Sequence, residues 1–107
     1  MADAIFKQIA DGLADPANKD KAKKINGVFA WSIGGKDYFI DMKKDLTAGS
    51  GKPAGKADVT LTMAEKDFLD LMSGKAQGQT LFMSGKVKFK GNMGMVMKLQ
   101  QVQQLLK

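Results

Sequence analysis

The chain has 107 residues and a formal net charge of +6, and it contains neither Cys nor His. That length predicts one domain, residues 1–107, with one core, and the absence of Cys removes a disulfide scaffold and fits a reducing compartment. Without His or Cys, no Ser-His-Asp or Cys-His triad and none of the usual zinc or transition-metal sites can form within the chain, so no catalytic residue, metal or cofactor is expected.

Every basic residue is Lys. Specific nucleic-acid readers lean on Arg for bidentate contacts, so no nucleic-acid partner is expected. A Lys-only surface suits solubility, or loose attraction to anionic membranes or ligands. Glu65 is the only glutamate, and no carboxylate spacing points to acid–base chemistry. No stretch approaches the ~20 apolar residues of a membrane span. The N-terminus, Met1 to Lys7, breaks into charge too soon for a signal peptide.

From Asp3 to Leu13 the spacing predicts an amphipathic helix. Ile5, Phe6, Ile9 and Leu13 share a stripe, Asp3 serves as N-cap, and Gly12 with Asp15-Pro16 ends the run. Pro16 to Lys24 is polar and Lys-rich and suits a short exposed helix. From Val28 the period becomes that of a strand, with Phe29, Trp31 and Ile33 alternating. Gly34-Gly35 is a turn signal, and Tyr38, Ile40 and Met42 alternate on a second strand of a hairpin. Thr47 to Lys56 reads as a Gly-rich loop, with room for a short edge strand before or within it.

Ala57 to Met63 alternates cleanly and reads as a strand. Thr62 and Glu65 have capping-box spacing for the helix that follows, whose apolar face is Ala64, Phe68, Leu71 and Met72 and whose C-cap is Gly74. A shorter helix around Thr80 to Met83 ends at Gly85. Lys86 to Lys90 alternates charged and apolar residues, as a strand with one wet face does. Gly91-Asn92 then opens a last helix with Asn92 as N-cap. This order predicts an α+β fold, a largely antiparallel sheet with helices gathered on one face.

On a helical wheel, Met95, Leu99, Val102 and Leu106 form one stripe of the last helix, and Met93, Val96 and Met97 lie largely opposite. That start is apolar nearly all round. Either the domain buries both sides, or one side docks on the core while the other lines a cavity or faces a membrane. Met72, Met83, Met93, Met95 and Met97 cluster late in the chain; flexible Met side chains line surfaces that accept varied apolar partners, and they also fill ordinary cores. Gly49 to Lys56 lacks phosphate-loop spacing, with Ala57 where Ser or Thr would bind magnesium, and reads as a surface loop. Lys19, Lys21, Lys23 and Lys24 read as a solvated face, with anionic headgroup binding as the alternative.

Several stretches resemble the sterol carrier protein 2, or non-specific lipid-transfer, family. They are Gly27 to Trp31, Ala57 to Met63, Asp67 to Lys75 and, most specifically, Gly85-Lys86-Val87-Lys88-Phe89-Lys90-Gly91-Asn92-Met93-Gly94-Met95-Val96-Met97-Lys98-Leu99-Gln100. The likeness runs in the right order over nearly the whole chain. It implies a five-stranded, mostly antiparallel sheet covered on one face by helices, with an apolar tunnel between. That tunnel takes fatty acids, fatty acyl-CoAs, sterols or phospholipids with low selectivity. The residues implied to line it are Trp31 and Ile40 of the sheet, Phe68, Leu71, Met72, Leu81 and Phe82 of the middle helices, and Met93, Val96, Met97, Leu99 and Val102 of the last.

The resemblance further implies a non-enzymatic lipid carrier; a monomer is expected, and the Lys-only surface leaves room for transient contact with anionic membranes. Family members are often peroxisomal and end in a Ser-Lys-Leu-like tripeptide. Leu105-Leu106-Lys107 is not one, so a cytoplasmic location is the alternative. The other functional reading is a non-catalytic accessory domain of a larger peroxisomal lipid-metabolising enzyme.

Overall fold

The structure is a computed structural model, and it describes residues 2–53, 55–96 and 98, the side chains of residues 79, 93 and 96 apart. Helix α1 (Ala2–Ala14) is followed by a 3-10 turn (Pro16–Asn18), α2 (Lys19–Ile25), β1 (Val28–Ile33), β2 (Lys36–Asp41) and β3 (Thr47–Ser50). Then come β4 (Val59–Met63), α3 (Glu65–Met72), α4 (Gly78–Met83), β5 (Val87–Gly91) and α5 (Met93–Val96). The five strands form one sheet in the order β3-β2-β1-β4-β5. Three pairings are antiparallel, and β1 with β4 is parallel. The α+β class and the mostly antiparallel sheet are as expected.

The hairpin forms where the sequence places it, with Ile33 opposite Lys36 across Gly34-Gly35. Met42 lies one residue beyond β2, yet it keeps the alternation, is buried, and donates its amide to the Gly27 carbonyl at 2.9 Å. Asn92 caps α5 as expected, its side-chain oxygen accepting from the Gly94 amide at 2.8 Å. Two further contacts hold α5 to the body. Met95 packs its terminal methyl on Gly27, and Lys98 donates to the Ile25 carbonyl at 3.1 Å.

Two local expectations are corrected. Helix α1 starts at Ala2, so Asp3 is not its N-cap but lies in its first turn, where its carboxylate meets Lys36 Nζ at 2.9 Å. That hydrogen bond, and a second from Tyr38, hold the Asp3 carboxyl below its ordinary value. Burial, then the bond to Asp3, pushes the Tyr38 phenol up.

The second correction is the capping box. Thr62 belongs to β4, which runs on because Met63 is buried between Ile33 of β1 and Val87 of β5. The N-cap is Ala64, exposed and without a side-chain bond, and Glu65 instead accepts from the Ala2 amide at 3.3 Å. The edge strand for which the Gly-rich segment left room is there, at its start. β3 pairs with β2, Ala48 opposite Ile40 and Thr47 opposite Asp41.

Candidate functional site

Alternation sends one set of strand side chains to the helix-covered face. The register makes them rows: Tyr38, Trp31, Leu61 and Phe89 form one, and Ile40, Phe29 and Val59 the next. Helix α1 lays Phe6, Ile9 and Leu13 on these rows, α2 adds Ala22 and Ile25, α3 adds Phe68, Leu71 and Met72, and α4 adds Leu81. All belong to one apolar cluster.

At its centre is an aromatic stack. The Phe6 ring lies parallel to Tyr38 at 4.4 Å and to Phe68 at 5.1 Å between centroids. The Trp31 indole meets Phe6 edge-on at 5.9 Å and Phe68 at 5.3 Å, the geometry that aromatic quadrupoles favour. The indole Nε1 is buried and has no hydrogen-bond partner among the described residues. A buried donor is normally satisfied, and one left unpaired costs about 1–3 kcal/mol.

Of the twelve residues expected to line an apolar cavity, six come together in this cluster: Trp31, Ile40, Phe68, Leu71, Met72 and Leu81. None is more than 5% accessible, so the described residues leave almost no water-sized space among them. Phe82 sits apart, 46% exposed, with its ring against Phe89 at 5.0 Å. The backbone of Met93 and Val96 lies in α5, whereas Met97, Leu99 and Val102 fall outside the described residues.

Phe6, Phe29 and Tyr38 complete the site and were not among the expected lining. The α1 stripe and the strand alternation carried their burial, but no local signal shows that their rings converge on Trp31. Gly49 to Lys56 does not form a phosphate loop. Its latter half helps enclose a cavity of about 380 Å³ on the opposite face of the sheet, with Ala30, Ser32, Asp37, Lys52, Pro53 and Thr60 in its wall. That wall mixes charge and hydroxyls, unlike the apolar cluster. Among the described residues no group of His, Cys, Asp or Glu could hold a metal ion, and no helix is long and apolar enough to cross a membrane.

Comparison with known proteins places this arrangement. The family model described as the SCP-2 sterol transfer family matches residues 6–104. The chain is 40% identical over 114 residues to a protein named fatty acid-binding protein from Yarrowia lipolytica, covering 96% of this chain and 86% of that protein. It is 42% identical over 108 residues to sterol carrier protein 2 of Bos taurus, covering 95% of this chain but only 20% of that longer protein. Among solved structures it resembles sterol carrier protein 2 from Yarrowia lipolytica in its apo form, with a TM-score of 0.85 and 33% identity, over 95% of this chain and 88% of that one. The chain thus shares its fold with that structure, and it belongs to the SCP-2 sterol transfer family.

Proposed function

We propose that the chain is a non-enzymatic lipid carrier that takes a fatty acid or similar lipid between its sheet and helices. The observation that carries this reading is the single apolar cluster in which Trp31, Ile40, Phe68, Leu71, Met72 and Leu81 meet. The relative named fatty acid-binding protein, matched over most of both chains, supports the same class of ligand. Absence of His and Cys from the whole chain leaves no conventional nucleophile–base pair and supports carriage over chemistry.

Burying a 16-carbon chain gains about 12 kcal/mol gross, at ~0.8 kcal/mol per methylene. Ordering and association costs reduce that to roughly micromolar affinity. Because the cluster is closed, entry requires side chains or a helix to move aside. Trp31, the only tryptophan, sits at the centre and reports that motion.

Titration with palmitate is expected to shift Trp31 emission saturably and to give a one-to-one complex in native mass spectrometry. An unchanged spectrum with an apo mass at saturating palmitate overturns the carrier reading. The second reading, a non-catalytic accessory domain, draws on the cattle relative, of which this chain spans only 20%. That negative result favours it.

A further inference from the structure

Among the described residues, Trp31 Nε1 is the one buried side-chain nitrogen or oxygen without a hydrogen-bond partner. Other polar groups at comparable depth are paired. The Asp41 carboxylate accepts from the Lys43 and Lys44 amides at 2.9 and 3.0 Å, and the Tyr38 hydroxyl is bonded to Asp3. The indole is held firmly: it is 1% exposed, Phe6 and Phe68 meet it edge-to-face, and the Phe29 ring of the same strand lies 6.3 Å away. Those rings offer the N–H no more than a weak π contact. A phenylalanine would fill much of the same space with no donor to satisfy.

Charge decides what can meet that donor. Among the described residues every lysine is exposed except Lys98, which is half-buried and gives its ammonium to the Ile25 carbonyl at 3.1 Å. No described cation therefore backs the apolar cluster. An ionised carboxylate brought beside the indole would be buried without a counter-charge, which is costly. An uncharged oxygen needs no counter-charge and accepts the same hydrogen bond.

We propose that Trp31 Nε1–H donates to an uncharged oxygen of the bound lipid, a hydroxyl or an ester carbonyl, and so gives the site a preference for long-chain alcohols or esters over hydrocarbons of the same shape. The inference rests on the carrier reading and deepens it: the apolar cluster supplies affinity for the chain, and the indole selects for the oxygen that the chain carries. An ionised fatty acid is held by its chain alone, with its carboxylate outside the cluster.

Trp31 is the only tryptophan, so its indole proton gives a single side-chain peak in a proton–nitrogen correlation spectrum of the delipidated protein. The probes are 1-hexadecanol and heptadecane, which differ by hydroxyl for methyl, and methyl palmitate, each delivered from cyclodextrin. Hexadecanol or methyl palmitate is expected to move the peak downfield, as a donor gaining an oxygen does, and heptadecane is not. A shift with only one of the two tells a hydroxyl from a carbonyl acceptor. In displacement of the fluorescent fatty acid cis-parinarate, Trp31→Phe is expected to cut the hexadecanol-to-heptadecane affinity ratio by about 2- to 10-fold, the worth of one hydrogen bond. The ratio is the readout because lost ring area weakens both ligands, and the wild-type spectrum decides alone if the variant does not fold. A peak already downfield without lipid, equal shifts with all three probes, or an unaltered ratio in folded Trp31→Phe overturns the inference. Palmitate bound one-to-one alongside any of these leaves the carrier reading standing, whereas no uptake of palmitate, alcohol or ester defeats both.

Discussion

Phe68→Ala is expected to lower the free energy of unfolding by about 3–5 kcal/mol, the range for emptying a buried Phe site. Phe68 is fully buried, lies parallel to Phe6 at 5.1 Å and receives the Trp31 edge at 5.3 Å. Its removal takes one layer from the stack and leaves a hole bounded by rigid rings, which collapse poorly. Against a domain stability of ~5–15 kcal/mol, this approaches unfolding. Phe68→Leu keeps most of the volume and is expected to lose about 1–2 kcal/mol. Urea unfolding followed by circular dichroism measures both, with an unchanged slope showing that stability alone has moved. A loss below about 1 kcal/mol for Phe68→Ala would show that the aromatic layer is loosely packed.

Gly91→Ala is the second large effect, for a different reason. Gly91 ends β5 with φ +113°, a conformation that side chains oppose. A Cβ there would lie 2.5 Å from the Asp58 carbonyl oxygen and 3.1 Å from Val59 Cα, backbone atoms at the start of the neighbouring strand β4. That backbone cannot retreat cheaply, because the same carbonyl accepts from the Asn92 amide at 2.8 Å and the Asp58 amide donates to Val28 at 2.9 Å. Dihedral strain of about 1–3 kcal/mol and overpacking of about 1–3 kcal/mol together predict a loss of about 2–6 kcal/mol. Gly85→Ala is the control: φ is +77° with nothing within 4 Å, so only the dihedral cost applies. Equal thermal shifts for the two variants would defeat the close-approach argument.

The elements that read clearly in the sequence are those with a strong local period. The α1 stripe and the alternation of Phe29-Trp31-Ile33 and Val59-Leu61-Met63 each correspond to an element with its apolar face buried. β3 was harder, because Thr47-Ala48-Gly49-Ser50 has no apolar alternation and is a strand through its hydrogen bonds to β2. The capping-box spacing misled because tertiary pairing of Met63 outweighs a local cap. At the site, burial was readable at six of the expected lining positions, but convergence was not. Phe6 and Tyr38 stack although thirty-two positions separate them, and nothing local encodes that. Phe82 follows Leu81 on a one-turn helix, too short for a wheel to separate its buried side from its wet one.

The parallel pairing of β1 with β4 also bears on the order in which the molecule forms and opens. β1 and β2 close across two glycines, whereas Ala30 meets Thr60 only after thirty residues have been gathered. Loop closure is therefore costlier for the second pairing, and non-local strand contacts form late. The β1–β2–β3 meander is expected to behave as the early, tenacious unit, and β4–α3–α4–β5 as the half that opens at lower free energy. Native-state hydrogen exchange should find β5 amides exchanging ahead of those in β1 and β2, and the reverse order would defeat this picture. On this account, admission of a lipid and partial unfolding are two views of one equilibrium, and any substitution that strengthens the late half slows exchange of cargo.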